Sequence, residues 1–200
     1  MVNRNQAVLG ILTLVILASG CTDTSSSSVS VSQTEGVTID EFSAFPTDVT
    51  EESTVQLTMT LENSGGSEAN NVEAELFNLP TGGDNGAWGI PQSTLDFGSL
   101  QPADPDNGIP ATPQPRTISL TAPGFDEAVS VPYTVRTRVN YDYKTVGTTS
   151  VTLMGQERFR DTGAGRSKPS MENTGGPIQM EARTRSPIVY YGSGNNDNTA

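Results

Sequence analysis

Cys21 carries the most distinctive chemistry in this sequence, because it is the only cysteine and the chain contains no histidine. A lone thiol cannot form an internal disulfide. Without histidine, neither a Cys/His metal cluster nor a Ser-His-Asp or Cys-His catalytic arrangement can be assembled. Paired carboxylates can act as acid and base, but among 23 acidic residues such pairs are uninformative. We therefore predict that the protein is not an enzyme, with no catalytic residue and no cofactor.

The residues before Cys21 have the layout of a secretory signal. Met1–Arg4 is a short positive start, residues 7–18 form an uninterrupted apolar stretch, and the small residues Ser19 and Gly20 follow. A helix that crosses a bilayer needs about 20 apolar residues, and this stretch is shorter. The first 20 residues are thus predicted to be a signal peptide, cleaved between Gly20 and Cys21.

The stretch Ala18-Ser19-Gly20-Cys21 resembles the lipobox of prokaryotic lipoproteins, in which a thioether-linked lipid is placed on the cysteine before cleavage. Ala18 stands where that family prefers Leu. The resemblance implies that Cys21 is lipidated and that the mature protein lies on the extracellular face of the cell membrane. The lipid on Cys21 then makes the membrane itself a partner of the protein. Two lipid chains hold a protein stably, since each buried methylene adds about 0.8 kcal/mol. The alternative is an ordinary cleaved signal peptide with an incidental cysteine.

Two further groups of residues are candidates for binding. Asp104, Asp106 and Asn107, followed by Gly108, offer oxygen ligands at alternate positions with a bend that suits Ca²⁺. The twelve-residue calcium pattern with its closing Glu is absent, however, and Asp-Asn-Gly is a common turn. A turn without metal is therefore the preferred interpretation there, and for Asp84-Asn85-Gly86 as well.

The aromatic candidates are Trp88, in the glycine-rich stretch 80–91, together with Tyr190 and Tyr191. Aromatic side chains in such loops can anchor a partner. The competing interpretation, which we prefer, is that they close the end of a β-sandwich core.

The charge of the chain is uneven. The net charge is −12, and residues 37–155 contain 16 acidic against four basic residues, whereas residues 156–200 contain five acidic and six basic ones. An acid-covered domain repels phosphates, which excludes a nucleic-acid partner.

The composition of the chain, with many carboxylates, only two lysines and many threonines, resembles that of the proteins of halophilic archaea. The alternative is an acidic surface protein without salt adaptation.

Alternation of apolar and polar residues predicts an all-β fold. Residues 21–35 hold Cys21 and a Ser/Thr-rich flexible linker, and thirteen such residues reach about 20 Å. Strands at short spacing, separated by Gly/Pro/Asn turns, then predict one immunoglobulin-like antiparallel β-sandwich over residues 36–155, with no amphipathic helix. The predicted strands are Val55–Leu61, Val72–Leu76, Ile118–Leu120, Val129–Tyr143 with Pro132 at an edge or bulge, and Val146–Met154.

Residues 57–80, LTMTLENSGGSEANNVEAELFNLP, resemble cell-adhesion-related (CARDB-like) and other immunoglobulin-like surface domains common in archaea. The pattern is a strand, Asn-x-Gly, polar residues, Ala-x-Asn-Val and a second strand. Residues 131–147 resemble the Tyr-containing penultimate strand of those domains. The resemblance implies a β-sandwich of envelope, adhesion or S-layer-associated proteins, with no catalytic residues. The positions that carry it are Asn63, Gly65, Ala69, Asn71 and Val72.

The C-terminal part admits two interpretations. Residues 156–175 are predicted to be a polar linker or arm, and 176–182 and 187–191 to be strands. Residues 176–187 repeat the glycine–strand–proline order of residues 36–46. On the first interpretation, this repeat is the start of a second sandwich at residue 176, and the sequence is then part of a longer protein. On the second, a terminal strand pair docks on the first domain.

The sequence thus predicts a membrane-anchored cell-surface lipoprotein with a structural or adhesive role, whose partner is an envelope protein or a surface glycan. The alternative is an accessory module that binds a ligand or polysaccharide with the loops 80–91 and 101–115.

Overall fold

The computed structural model describes residues 29–191 except 84 and 128. This part of the chain is mostly β, and its main sheets are antiparallel, which confirms the prediction of an all-β fold. The elements in chain order are β1 (Val37–Phe45), β2 (Thr54–Asn63), β3 (Ala69–Phe77), β4 (Thr94–Leu100), β5 (Gln114–Thr121), β6 (Arg136–Tyr143), β7 (Gly147–Thr149), β8 (Leu153–Gly155), α1 (Gln156–Thr162), β9 (Met171–Asn173) and β10 (Ile188–Tyr190).

Two three-stranded sheets, β1–β2–β5 and β4–β3–β6, bury their apolar faces in one core. Successive residues of a strand point to opposite faces, so each central strand supplies every second residue to this core. Met59 and Leu61 of β2, and Val72 and Ala74 of β3, have no exposed surface. The predicted strands Val55–Leu61, Val72–Leu76 and Ile118–Leu120 lie within β2, β3 and β5.

Asn63 ties the end of one sheet to the other. Its side chain is 1% exposed, and its Nδ2 donates to the carbonyl oxygens of Ser67 and Leu100, each at 2.8 Å, while its Oδ1 accepts from the Gly65 N–H at 3.1 Å. Leu100 is the last residue of β4. One buried amide therefore satisfies three backbone groups, two in the turn after β2 and one at the end of β4.

Two predicted strands are wrong in part. Residues 129–135 form no strand, and β6 begins only at Arg136. Pro132 has no N–H to donate to a ladder, and the Thr134 carbonyl accepts from the Asn78 side chain instead. The predicted strand Val146–Met154 is divided into β7, which pairs with β9, and β8, which pairs with β10, because its two halves find different partners.

The C-terminal part also differs from expectation. α1 lies at the start of the predicted linker or arm 156–175, and none of its residues is buried, so it has no apolar face that periodicity could indicate. Gln, Glu and Arg favour helix, and Gly163 ends it in the left-handed conformation (φ 60°). Residues 176–182 form no strand, whereas β10 lies within the predicted strand 187–191. No helix in the described part of the chain is long and apolar enough to cross a membrane.

A pair of carboxyl groups on β1 and β2 predicts a pH-dependent stability. The pKa of Glu62 is raised by burial first, and then by the hydrogen bond and the negative charge of Asp40. A carboxyl group whose pKa is higher in the folded chain stabilises it fully below the unfolded-state value of about 4.3, and this contribution is lost as the pH rises through the folded-state value. Glu62→Gln should therefore raise the urea midpoint at pH 7, and its advantage over the wild type should shrink as the pH falls toward 4.

The exposed Glu73 on β3 offers a matched control for this experiment. Glu73→Gln removes the same charge, and the comparison separates the local pair from the general repulsion among carboxylates. If both variants respond alike at every pH, the Asp40–Glu62 pair has no role in the effect.

Candidate functional site

The first described residues join the sheets at the turn between β2 and β3. Ser32 N–H donates to the Ser64 carbonyl at 2.6 Å, and Ser64 N–H donates to the Gly36 carbonyl at 2.8 Å. The contact is tight: a Cβ on Gly65 would lie 2.9 Å from the backbone carbonyl oxygen of Glu35 and would also meet the Tyr143 hydroxyl, which favours glycine at this position. We call residues 29–36 the tether segment and this region the tether end of the fold.

A groove opens at the opposite end of the sheets. It encloses about 1340 Å³ between residues 46–51, which follow β1, and residues 123–135, which precede β6. β1 starts beside Gly36 at the tether end, and Ala44 near its other end lines the groove. A strand of this length extends about 27 Å, so the groove and the tether end lie far apart.

The groove is lined by apolar and polar side chains, and its charged residues are acidic. Val129 and Val131 are 53% and 45% exposed, and they face the groove together with Tyr133. Asp48 and Glu51 supply carboxylates, and none of the described residues that line the groove is basic. The groove therefore favours apolar, neutral or cationic ligands over anionic ones.

Trp88 forms the floor of this groove and belongs to the core. It is 9% exposed, and its ring meets Tyr133 edge to face with the centroids 5.4 Å apart. The loop around it is fastened by hydrogen bonds from Trp88 N–H to the Pro80 carbonyl and between Gly89 and Thr121. Its Nε1 is buried without a hydrogen-bond partner in the described chain. The indole thus packs between the sheets and leaves one buried donor unsatisfied.

Tyr190 and Tyr191 do not join Trp88 in this groove. They are 58% and 72% exposed, and Tyr190 lies beside Gly155, where β10 pairs with β8. The predicted aromatic cluster is therefore divided between two regions of the described chain.

The acidic loop forms a closed turn. Asp104 and Ile109 exchange two backbone hydrogen bonds, and the Asp104 carboxylate accepts from the Asn107 side chain at 2.6 Å and from its backbone N–H at 3.2 Å. The bond from the Asn107 side chain is the main reason why the pKa of Asp104 is lowered. Asp106 is exposed and joins no cluster of three or more His, Cys, Asp or Glu side chains among the described residues.

The loops 80–91 and 101–115 lie at opposite ends of β4 and do not form one binding surface. Trp88 lines the groove, whereas Ala103 and Ala111 line a smaller depression of about 430 Å³ beside Val31 and Asn63 at the tether end. Of these two loops, only the loop 80–91 contributes residues to the groove.

Three predicted positions lie outside the described residues: the cleavage pair Gly20 and Cys21, with the lipid site at Cys21, and the turn residue Asp84. The groove itself was not anticipated from the sequence. The alternation around Val129 and Val131 is a partial signal, but it predicts a strand, and Pro132 is the residue that argues against one.

Comparison of the chain with protein-family models, curated proteins and solved structures gave no match.

Proposed function

We propose that this protein is a lipid-anchored component of the extracellular face of the cell membrane, with an immunoglobulin-like β-sandwich module that has an adhesive role. The lipid is joined to Cys21, and the linker that follows ends in the tether segment, which packs on the module. The two three-stranded sheets form the module. The contact surface is the groove beside Trp88.

The observation that carries the proposal is the placement of the groove relative to the tether segment. The tether segment enters at one end of β1, and the groove opens at the other end. An anchor at Cys21 holds the tether end toward the membrane and directs the groove outward. A surface that contacts a partner outside the cell has to face away from the membrane, and this arrangement meets that requirement.

The composition of the groove supports adhesion to another macromolecule. Pockets for small molecules usually enclose about 300–1,000 Å³, and this groove is larger and open. Its exposed valines offer apolar surface beside polar and acidic side chains, and protein contact surfaces commonly have such a mixed composition. A segment of an envelope protein fits this arrangement.

The test is cell attachment with charged substitutions in the groove. Val129→Asp combined with Val131→Asp places two charges on exposed apolar positions without altering the core. Attachment of cells to one another or to a coated surface should fall at least about tenfold if the groove contributes roughly 1.4 kcal/mol or more.

Ile109→Asp is the matched control. Ile109 is 56% exposed and lies in the loop 101–115, away from the groove, so attachment should stay unchanged. Antibody labelling must show that both proteins are at the cell surface. If cells with the wild type and cells with the groove variant then attach equally well, the proposed adhesive role is contradicted. A loss of attachment only in the control variant would place the contact at the tether end.

A polysaccharide is the second candidate ligand, because an open groove of this volume accommodates an extended sugar chain as well as a peptide. Soluble surface glycans that inhibit attachment at the wild-type groove, while soluble envelope proteins do not, would favour this alternative.

A further inference from the structure

The small sheet of β8 and β10 presents an exposed apolar face. The two strands pair in parallel, with Leu153 opposite Ile188 and Gly155 opposite Tyr190. Residues that are opposite in register, or two apart in one strand, share a face. Leu153, Ile188 and Tyr190 therefore lie together, and they are 68%, 38% and 58% exposed. We call these three side chains the apolar face.

The other face of this sheet is covered by α1. The Thr162 hydroxyl of α1 lies 4.0 Å from the sulfur of Met154, and Met154 and its neighbour Val189 are half-buried. Leu153 and Ile188 alternate with these residues and point away from the helix. Within the described chain, the apolar face thus has no element packed on it.

Two arginines precede β10 in a chain that is mostly acidic. Arg183 and Arg185 are exposed and lie five and three residues before the start of β10. Lys168 pairs with Glu181, whereas neither arginine has an ion-pair partner in the described part. Residues 156–191 contain six basic and four acidic residues, in contrast to the strongly acidic 37–155. This region is the part of the described surface that best suits a negatively charged partner.

The same region is joined to the tether end. Gly66 N–H donates to the Gly175 carbonyl at 2.9 Å, and the Gln179 side chain donates to the Gln33 carbonyl. Gly175 packs so closely that a Cβ on it would lie 2.2 Å from the Ser32 carbonyl oxygen. The segment that leads to Arg183 is therefore fixed directly on the tether segment.

We propose that the apolar face, with Arg183 and Arg185, docks on the anionic headgroups of the membrane that carries the protein. The inference rests on the proposed function, because the anchor at Cys21 is what brings this surface to the bilayer. Leucine and isoleucine enter the boundary between headgroups and acyl chains, and tyrosine is favoured at that depth. Arginine pairs with phosphate in a bidentate manner at contact distance, so the pairing is less sensitive to salt than long-range attraction is.

A second copy of the chain is a less suitable occupant. A stable protein contact buries roughly 1,000 Å² or more, and three partly exposed side chains provide much less. In a symmetric contact the two facing surfaces would also carry the same positive charge, and like charges repel.

Hydrogen exchange on vesicles tests the docking. The full-length protein is reconstituted into vesicles of phosphatidylcholine, with or without added phosphatidylglycerol. Exchange is followed at the amides of residues 153–155, 186 and 188–191. The anchor holds the protein on both kinds of vesicle, so a difference between them reports the headgroup contact. We expect several-fold slower exchange with phosphatidylglycerol, and loss of this difference in Arg183→Glu/Arg185→Glu.

The matched control is Arg116→Glu/Arg136→Glu, which makes the same charge change on β5 and β6 and should leave the difference intact. Equal exchange on both vesicles overturns the docking surface. Protection that follows protein density instead of lipid charge indicates a second copy and also overturns it. Failure of the protein to float with neutral vesicles is a separate result, because it contradicts the lipid anchor.

Discussion

Cys21→Ser should move the protein almost completely from the membrane fraction into the soluble fraction or the medium. Serine has no thiol on which a thioether can form, and the apolar stretch 7–18 is shorter than the roughly 20 residues that span a bilayer. Two acyl chains hold a protein stably, whereas none leaves only the surface contacts of the module. The measurement is the distribution of the protein between pellet and supernatant after an alkaline carbonate wash, which strips proteins held by surface contacts alone.

Mass spectrometry of the mature N-terminal peptide identifies the cause of this redistribution. The wild-type peptide should begin at Cys21 and carry the added mass of the lipid. Thr22→Ser, at the next position, is the matched control and should remain in the pellet with the same modification. Firm retention of Cys21→Ser in the washed pellet would falsify the anchor, and an unmodified wild-type peptide that starts at Cys21 would indicate an ordinary signal peptide.

The main sheets could be predicted from the sequence because one face of each central strand is buried and the other is solvated. In β2 this contrast produces strict alternation over Val55–Leu61, and the turn at Asn63–Ser67 has its own glycine signal. The same alternation over 129–135 was misleading. An alternation of apolar and polar residues indicates which side chains are buried, but it does not show whether the backbone pairs with another strand. Residues in this stretch line a groove instead of extending the sheet.

The groove and the apolar face could not be predicted, because each depends on segments that are distant in the chain. The groove joins residues 46–51, Trp88 and 123–135, and only the strand register brings them together. The apolar face requires β8 to pair with β10, more than 30 residues later. α1 has seven residues, too few to show a helical stripe, although Gln156 and Glu157 at its start and Gly163 after its end are recognisable signals.

Asn63→Ala is expected to have the largest effect on stability, lowering the free energy of unfolding by about 4 kcal/mol. The substitution leaves the Gly65 N–H and the Ser67 and Leu100 carbonyls without their partner, and each buried unsatisfied group costs roughly 1–3 kcal/mol. Water can reach part of the turn but not the bond to Leu100, which is buried. Urea unfolding of the full chain in mild detergent, followed by circular dichroism, measures the change.

The comparison with Asn63→Asp and Asn140→Ala shows whether the hydrogen bonds of Asn63 are responsible. Aspartate keeps an acceptor for the Gly65 N–H but loses both donated bonds and turns a carboxylate toward two carbonyl oxygens, so it should be at least as destabilising at pH 7. Asn140 is exposed on β6 and makes no side-chain hydrogen bond within the described residues, so its alanine variant should stay within about 0.5 kcal/mol of the wild type.

Asn63 lies where β2, the turn and the end of β4 meet, and the tether segment packs on that turn through Ser32 and Ser64. A loss below about 1 kcal/mol in Asn63→Ala would mean that this junction does not depend on the buried amide, and that other contacts, such as that between Gly65 and Tyr143, hold the tether end together.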